Sequence, residues 1–309
     1  MKDFQSIYQI ANYWAGVITG QVFYLPILGP TYSMGSVDGL LFDILNNSAE
    51  EKFLAYDKNR RWLKSKAEKI ILAEIVVNDD LLFVPVINTI SKNILKIFCY
   101  GHKPLNDGSI EFINQIVDKI KPIENFGQCI VYSFVKPWDI NQYRCHNIYV
   151  KKIAGNDKLT HDLDDVKYYQ DLPQTIQQTF SNLKADSDLD GFDFLWDRYL
   201  FHQRVVSPIL CAVKDKMVVG AIGPLDVFND FYNIQFLLPP YFGVSNNFRG
   251  LGYGQKLWQQ AMSWAYTSGA QYLLVQNESN SPAAKFYEKQ DLIVGGRVYS
   301  FSFVVKPKL

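Results

Sequence analysis

In the second half of the chain the apolar positions change period several times, and each change marks an element. Residues 209–213 and 217–222 are short apolar runs joined through Lys214, Asp215 and Lys216, which predicts a hairpin. Residues 236–244 predict a central strand. From residue 255 to residue 266 the period becomes helical, with Leu257, Trp258, Ala261, Met262, Trp264 and Ala265 forming one stripe to bury against a sheet. Gly269 ends that helix, and residues 271–276 read as a buried strand. Residues 277–288 open a second helix, capped by Asn280 or Ser281, with Pro282 in its first turn. Upstream, residues 147–153 predict a short strand, and residues 172–183 and 192–203 predict helices.

The first half is a fainter version of the same order. Residues 70–77 and 81–87 predict a hairpin around Asn78, Asp79 and Asp80, residues 94–100 a strand, 110–120 a helix and 128–135 another strand. Helix then strand recurs at similar spacing in both halves. The expected fold class is therefore α/β with mixed sheets, in two domains, residues 1–143 and 144–309. Periodicity leaves two readings of the first domain: a degenerate copy of the second, or an unrelated α/β domain.

Composition narrows the partners. The 309 residues are 48% hydrophobic and 20% charged, enough for a core in each half. Lys and Arg number 31 and so do Asp and Glu, so the net charge is zero and nothing points to a nucleic-acid surface. Cys99, Cys129, Cys145 and Cys211 are scattered. They do not group with His102, His146, His161 or His202 at ligand spacing, so no structural metal is expected. Residues 4–37 carry no charge, but Asn12, Thr19, Gln21, Pro26 and Pro30 interrupt them, so a membrane span is not expected. Lys2 is followed at once by Asp3, unlike a signal peptide, and a cytoplasmic protein is expected. The neutral segment is expected to be core or the wall of a substrate cleft.

Chemistry concentrates where the central strand meets the first helix. Val244-Ser-Asn-Asn-Phe-Arg-Gly-Leu-Gly-Tyr-Gly254 places glycines at 250, 252 and 254, where the backbone can take positive φ and approach a ligand closely. The helix that follows points unpaired N–H groups and the positive end of its dipole at the loop, which favours an anion such as pyrophosphate. Gln255, Lys256 and Leu257 follow the last glycine, so this is not a Walker loop. Alternating glycines also fail the dinucleotide-binding fingerprint.

Arg249, Gly252 and Gly254 fill the pattern Gln or Arg, two residues, Gly, one residue, Gly or Ala. Asn280, Pro282, Ala283, Ala284, Phe286 and Tyr287 fill a later segment of an Asn, a small-residue helix start and a Phe-Tyr pair. In that order the two segments resemble the GNAT superfamily of N-acetyltransferases, over roughly residues 209–305. Asn246 stands where family members often carry Pro, and Asp291-Leu292 where they carry Gly-Phe; neither departure removes a chemical group.

The resemblance implies an acyl-CoA N-acyltransferase fold for the second domain, with acetyl-CoA as co-substrate and no metal. It assigns main-chain pairing with the pantetheine arm to Phe242, Gly243 and Val244. The pyrophosphate falls to the N–H groups of Gly250, Leu251, Gly252, Tyr253, Gly254 and Gln255, with Arg249 beside it. Asn280 either reaches the pantetheine or simply caps its helix. Tyr287 is the candidate general acid, because a phenol with a pKa near 10 is protonated at neutral pH. Asp226, Asp230 and Glu278 are candidate bases by position. The expected acceptor is a primary amine of a small molecule, an antibiotic or a metabolite. A protein or peptide amine, or a regulatory module that binds CoA without chemistry, are the alternatives.

Overall fold

The computed structural model describes residues 6–48, 54–58, 68–88, 94–124, 126–137, 143–159, 163–185 and 207–305. Packing divides the chain into two compact units: residues 1–151 with 274–309, and residues 152–273. The division at 143/144 follows chain order, whereas packing places the last strand with the first half of the chain. The predicted helix over 192–203 lies outside the described residues.

The first unit begins with the helix Ile7–Val17, whose N-cap Ser6 accepts from Gln9 N, and which buries Ile10, Ala11 and Trp14. Strands β1 (Val22–Leu25) and β2 (Gly29–Tyr32) follow as a hairpin, and then the helix Asp38–Ser48. Much of the uncharged N-terminal segment is thus core, with Trp14 and Leu25 fully buried. The expected hairpin around Asp79 and Asp80 forms, both residues taking the left-handed φ that short polar side chains tolerate. Its first arm is not one strand, however. A 3-10 turn at Leu72–Glu74 splits it into β3 (Glu68–Ile70) and β4 (Val76–Asn78), which pair with opposite ends of β5 (Leu81–Asn88).

Next, β6 (Ile94–Tyr100) and β7 (Gln128–Ser133) run parallel, joined by the helix Asp107–Ile120. That helix buries Ile113, Ile116, Val117 and Ile120 against one face of the sheet, in a core with Cys99, Cys129 and Val131. Strand β8 (Arg144–Lys152) follows.

In the second unit, β9 (Val166–Tyr168), β10 (Leu210–Lys214) and β11 (Met217–Gly223) are antiparallel neighbours. The β10–β11 turn is the predicted one, with Asp215 and Lys216 at positive φ. The predicted helix over 172–183 forms without a gap from residue 174 to 185, as α-helix over Gln174–Gln177, 3-10 over Gln178–Phe180 and α-helix over Ser181–Ala185. The predicted strand over 236–244 is also two. After β12 (Val227–Asn229), β13 (Gln235–Leu237) pairs with β12, and β14 (Tyr241–Val244) pairs with β11. Pro239 and Pro240 fall between them and have no N–H to continue a ladder. The helix Tyr253–Thr267 follows, and then β15 (Tyr272–Glu278), whose Tyr272 and Leu273 run parallel to β13.

The chain re-enters the first unit along β15, forms the helix Pro282–Glu288 and ends in β16 (Ile293–Val304). This last strand is antiparallel to β7 over residues 299–304 and to β8 over residues 293–300. A Cβ on Gly295 would lie 2.5 Å from Val22 Cγ2, and one on Gly296 2.9 Å from Val22 O. The two glycines let the β1–β2 hairpin lie directly on β16. Among the described residues no helix is long and apolar enough to cross a membrane.

Candidate functional site

The glycine loop belongs to the second unit. Strand β14 leads into a 3-10 turn, Asn246–Phe248, and the loop then rises through Gly250 and Gly252, at φ of 80° and 87°, into the helix Tyr253–Thr267. Those angles require glycine, but the space above them does not: a Cβ at either position would meet no atom within 4 Å. The N-cap is Gly252 itself, exposed and with no side-chain cap among the described residues, so the first-turn N–H groups lack a capping partner at the positive end of the dipole.

The helix Asp107–Ile120 of the first unit is the informative contrast, because it too follows a strand and precedes a parallel one. Its N-cap Asn106 accepts from Ser109 N at 2.9 Å, and the Ser109 hydroxyl completes a capping box. An anion there would compete with the chain's own cap.

Arg249 ties the loop to its base, with Nε donating to Val244 O at 2.9 Å. Lys256, passed over in the sequence except as a mismatch to a Walker loop, brings a second cation to the first turn. Its Nζ lies 2.6 Å from Asp165 Oδ2 and 5.9 Å from the centroid of Tyr253. This ion pair raises the lysine pKa and lowers that of the aspartate. Phe242, Gly243 and Val244 lie on β14, an edge of the four-stranded sheet β14-β11-β10-β9. Gly220 on β11 lets β14 sit close, since a Cβ there would be 3.0 Å from Gly243 O.

Of the candidate carboxylates in this unit, Asp230 builds the β12–β13 turn. Its Oδ1 accepts from Tyr232 N and Ile234 N, at 2.8 and 2.9 Å, and its Oδ2 from the Tyr272 hydroxyl at 2.8 Å. Asp226 Oδ1 accepts from Val227 N at 2.9 Å.

Asn280, Tyr287 and Glu278 lie in the first unit. The helix cap is Ser281, whose Oγ accepts from Ala284 N at 3.2 Å; Asn280 is exposed in the preceding turn. Tyr287 sits against Tyr149, with ring centroids 5.6 Å apart, and Asn147 Nδ2 donates to the Tyr149 hydroxyl at 3.1 Å. Burial, with the neighbouring Tyr149 phenol, pushes the Tyr287 pKa up to about 12. Asn147 Oδ1 is buried and has no hydrogen-bond partner among the described residues. Sequence reading missed Asn147 and Tyr149; their two-residue spacing on a strand was the available signal, since it puts both on one face.

His146 and Arg144 fall on the opposite face of β8. Burial lowers the His146 pKa, the charge of exposed Glu278 opposes that shift, and Arg144 adds to it. His146 is therefore a neutral imidazole at neutral pH.

Residues 170–291 match the model of the acetyltransferase (GNAT) family. They form a GNAT acetyltransferase domain. No curated protein matches the chain. Among solved structures, a GNAT-family acetyltransferase from Colwellia psychrerythraea aligns at 12% identity with a TM-score of 0.49, covering 87% of this chain and 98% of that one. A GCN5-related N-acetyltransferase from Sphaerobacter thermophilus aligns at 11% identity and 0.45, covering 86% and 95%. A tandem GNAT protein from the clavulanic acid biosynthesis pathway aligns at 9% identity and 0.43, covering 76% and 82%.

Proposed function

We propose that this GNAT protein transfers an acetyl group from acetyl-CoA to a primary amine of a small molecule. The observation that carries the donor assignment is the uncapped helix N-terminus at Gly252, open to solvent above two glycines at positive φ. The N–H groups of residues 250–255 are suited to a pyrophosphate, with Arg249 and Lys256 adding positive charge. The edge of β14 offers main-chain groups of Phe242, Gly243 and Val244 to an amide-bearing arm, as an added strand would.

In the proposed reaction the amine nitrogen bonds to the thioester carbon, the carbon–sulfur bond breaks, and the thiolate takes a proton from Tyr287. With a pKa near 12 the phenol stays protonated and acts chiefly as a hydrogen-bond donor until charge collects on sulfur. Asp226 and Glu278 remain the proposed carboxylates for the amine's proton. Asn280, exposed and not the helix cap, remains available for the pantetheine.

We further propose that residues 144–309 are the catalytic domain and residues 1–143 a degenerate copy. Two features support this. Strand, helix and parallel strand recur as β6, Asp107–Ile120 and β7, and as β13, Tyr253–Thr267 and Tyr272-Leu273, and only the second helix lacks a side-chain cap.

The test is turnover. The full chain, given acetyl-CoA and a panel of small primary amines, releases free thiol and forms an amide detectable by mass spectrometry. Thiol release that no amine accelerates, in a chain shown to bind acetyl-CoA, would refute the transfer reaction.

A further inference from the structure

The sheet of the first unit has a second face that the helix Asp107–Ile120 does not cover. Alternation and register put Ile130 and Tyr132 of β7, Val298, Ser300 and Ser302 of β16, and Arg144 and His146 of β8 on this side. Cys129, Val131, Phe301 and Phe303 face the helix-packed core instead. Over the open side stands Tyr24, its ring stacked on Phe98 and on Tyr132, each at a centroid distance of 6.0 Å. Between them is a solvent-open hollow of about 770 Å³, within the usual size of small-molecule sites.

Two features set it apart from an ordinary surface depression. First, its aromatic wall is fixed in place. Glu68 accepts from Ile27 N at 2.8 Å and from Lys96 Nζ at 2.5 Å, which pins the β1–β2 turn, and the Tyr100 hydroxyl donates to Tyr24 O at 2.9 Å. Second, its polar groups are unspent. The side chains of Tyr132, Arg144, His146, Gln276, Ser300 and Ser302 line the hollow and make no hydrogen bond or ion pair with the described residues. Arg144, which lines the hollow, has no carboxylate partner among the described residues, whereas Lys96 on the neighbouring strand β6 is paired with Glu68.

We propose that this hollow binds a small aromatic monocarboxylate, its ring against Tyr24 and Tyr132 and its carboxylate on the Arg144 guanidinium. The planar fork of arginine matches a carboxylate in two parallel hydrogen bonds. A neutral His146 and the serine hydroxyls add donors without charge. Arg144 is the one charged side chain among the lining residues, which matches a ligand with a single negative charge. This binding does not depend on acyl transfer or on the glycine loop.

Three probes that share a ring and differ in charge test it by calorimetry on the full chain: 3-phenylpropionate, 3-phenylpropanamide and phenethylamine. The carboxylate binds roughly tenfold tighter than the amide, the worth of one charge-assisted pair, and the amine binds weakest. Arg144→Gln, at an exposed position, keeps its melting temperature and loses the preference for the carboxylate. Tyr132→Leu weakens both the carboxylate and the amide. No heat with any probe at millimolar concentration, an amine that binds as well as the acid, or a preference that survives Arg144→Gln would each overturn the proposal.

Discussion

Replacing Gly252 by Gln or by Glu separates the charge of the proposed phosphate site from its backbone geometry. Both side chains have the same shape, and both must adopt the φ of 87° that Gly252 holds, at a cost of roughly 1–2 kcal/mol. Neither collides with anything at its Cβ, because no atom lies within 4 Å of that position. The two variants should therefore melt alike, a few degrees below the native chain. They differ in the ligand. Acetyl-CoA at a hundred times its Kd stabilises the native chain by about 2.7 kcal/mol, a rise of roughly 4 °C for a protein of this size. A carboxylate about 5 Å from a phosphate, at an effective dielectric of about 20, opposes binding by roughly 3 kcal/mol, about a hundredfold in Kd. Differential scanning fluorimetry with and without acetyl-CoA reads this directly. Gly252→Gln keeps much of the ligand-induced rise and Gly252→Glu keeps almost none. Equal rises in the two variants would refute the placement of the anion at this helix end.

Tyr287→Phe should lower kcat by about 10²–10³-fold while leaving acetyl-CoA affinity unchanged, since only the proton donor is removed. The same variant tests the raised pKa. The folded value of about 12 exceeds the ordinary value of 10, so the stabilisation is complete below pH 10 and is lost as pH rises through 12. Urea denaturation of Tyr287→Phe between those limits should fall less steeply than that of the native chain, by up to about 3 kcal/mol in total. Gly220→Ala puts a methyl 3.0 Å from Gly243 O and Val244 Cγ2 and should cost about 1–3 kcal/mol in urea denaturation while weakening acetyl-CoA binding. Asn106→Ala removes a capping box and should cost about 1 kcal/mol with no effect on acetyl-CoA affinity by calorimetry.

The parts of this architecture that could be read in the sequence are those set by neighbours along the chain. The stripe Leu257, Trp258, Ala261, Met262 and Ala265 gave the helix, and the glycines before it gave the loop. Asp79-Asp80 and Asp215-Lys216 marked turns because left-handed pairs are a local requirement. The broken strand at Leu238-Pro239-Pro240 was legible too, but an apolar run on both sides hid the interruption. What could not be read is set by long-range pairing. Nothing local says that β16 lies between β7 and β8, or that Gly295 and Gly296 are glycines because Val22 packs on them. The same holds for Tyr149, which meets Tyr287 only after β8 and the last helix are docked, and for Asn147, which donates to the Tyr149 hydroxyl.

The central claim is that residues 250–256, and not residues 101–109 of the first unit, hold the phosphates of acetyl-CoA. Hydrogen–deuterium exchange of the full chain with and without saturating coenzyme A tests it most directly, because each backbone N–H is a separate reporter. The account predicts slowed exchange across Gly250 to Lys256 and no change from Gly101 to Ser109. Unchanged exchange at Gly250 to Lys256, or protection that appears at the Asn106 cap instead, would contradict it.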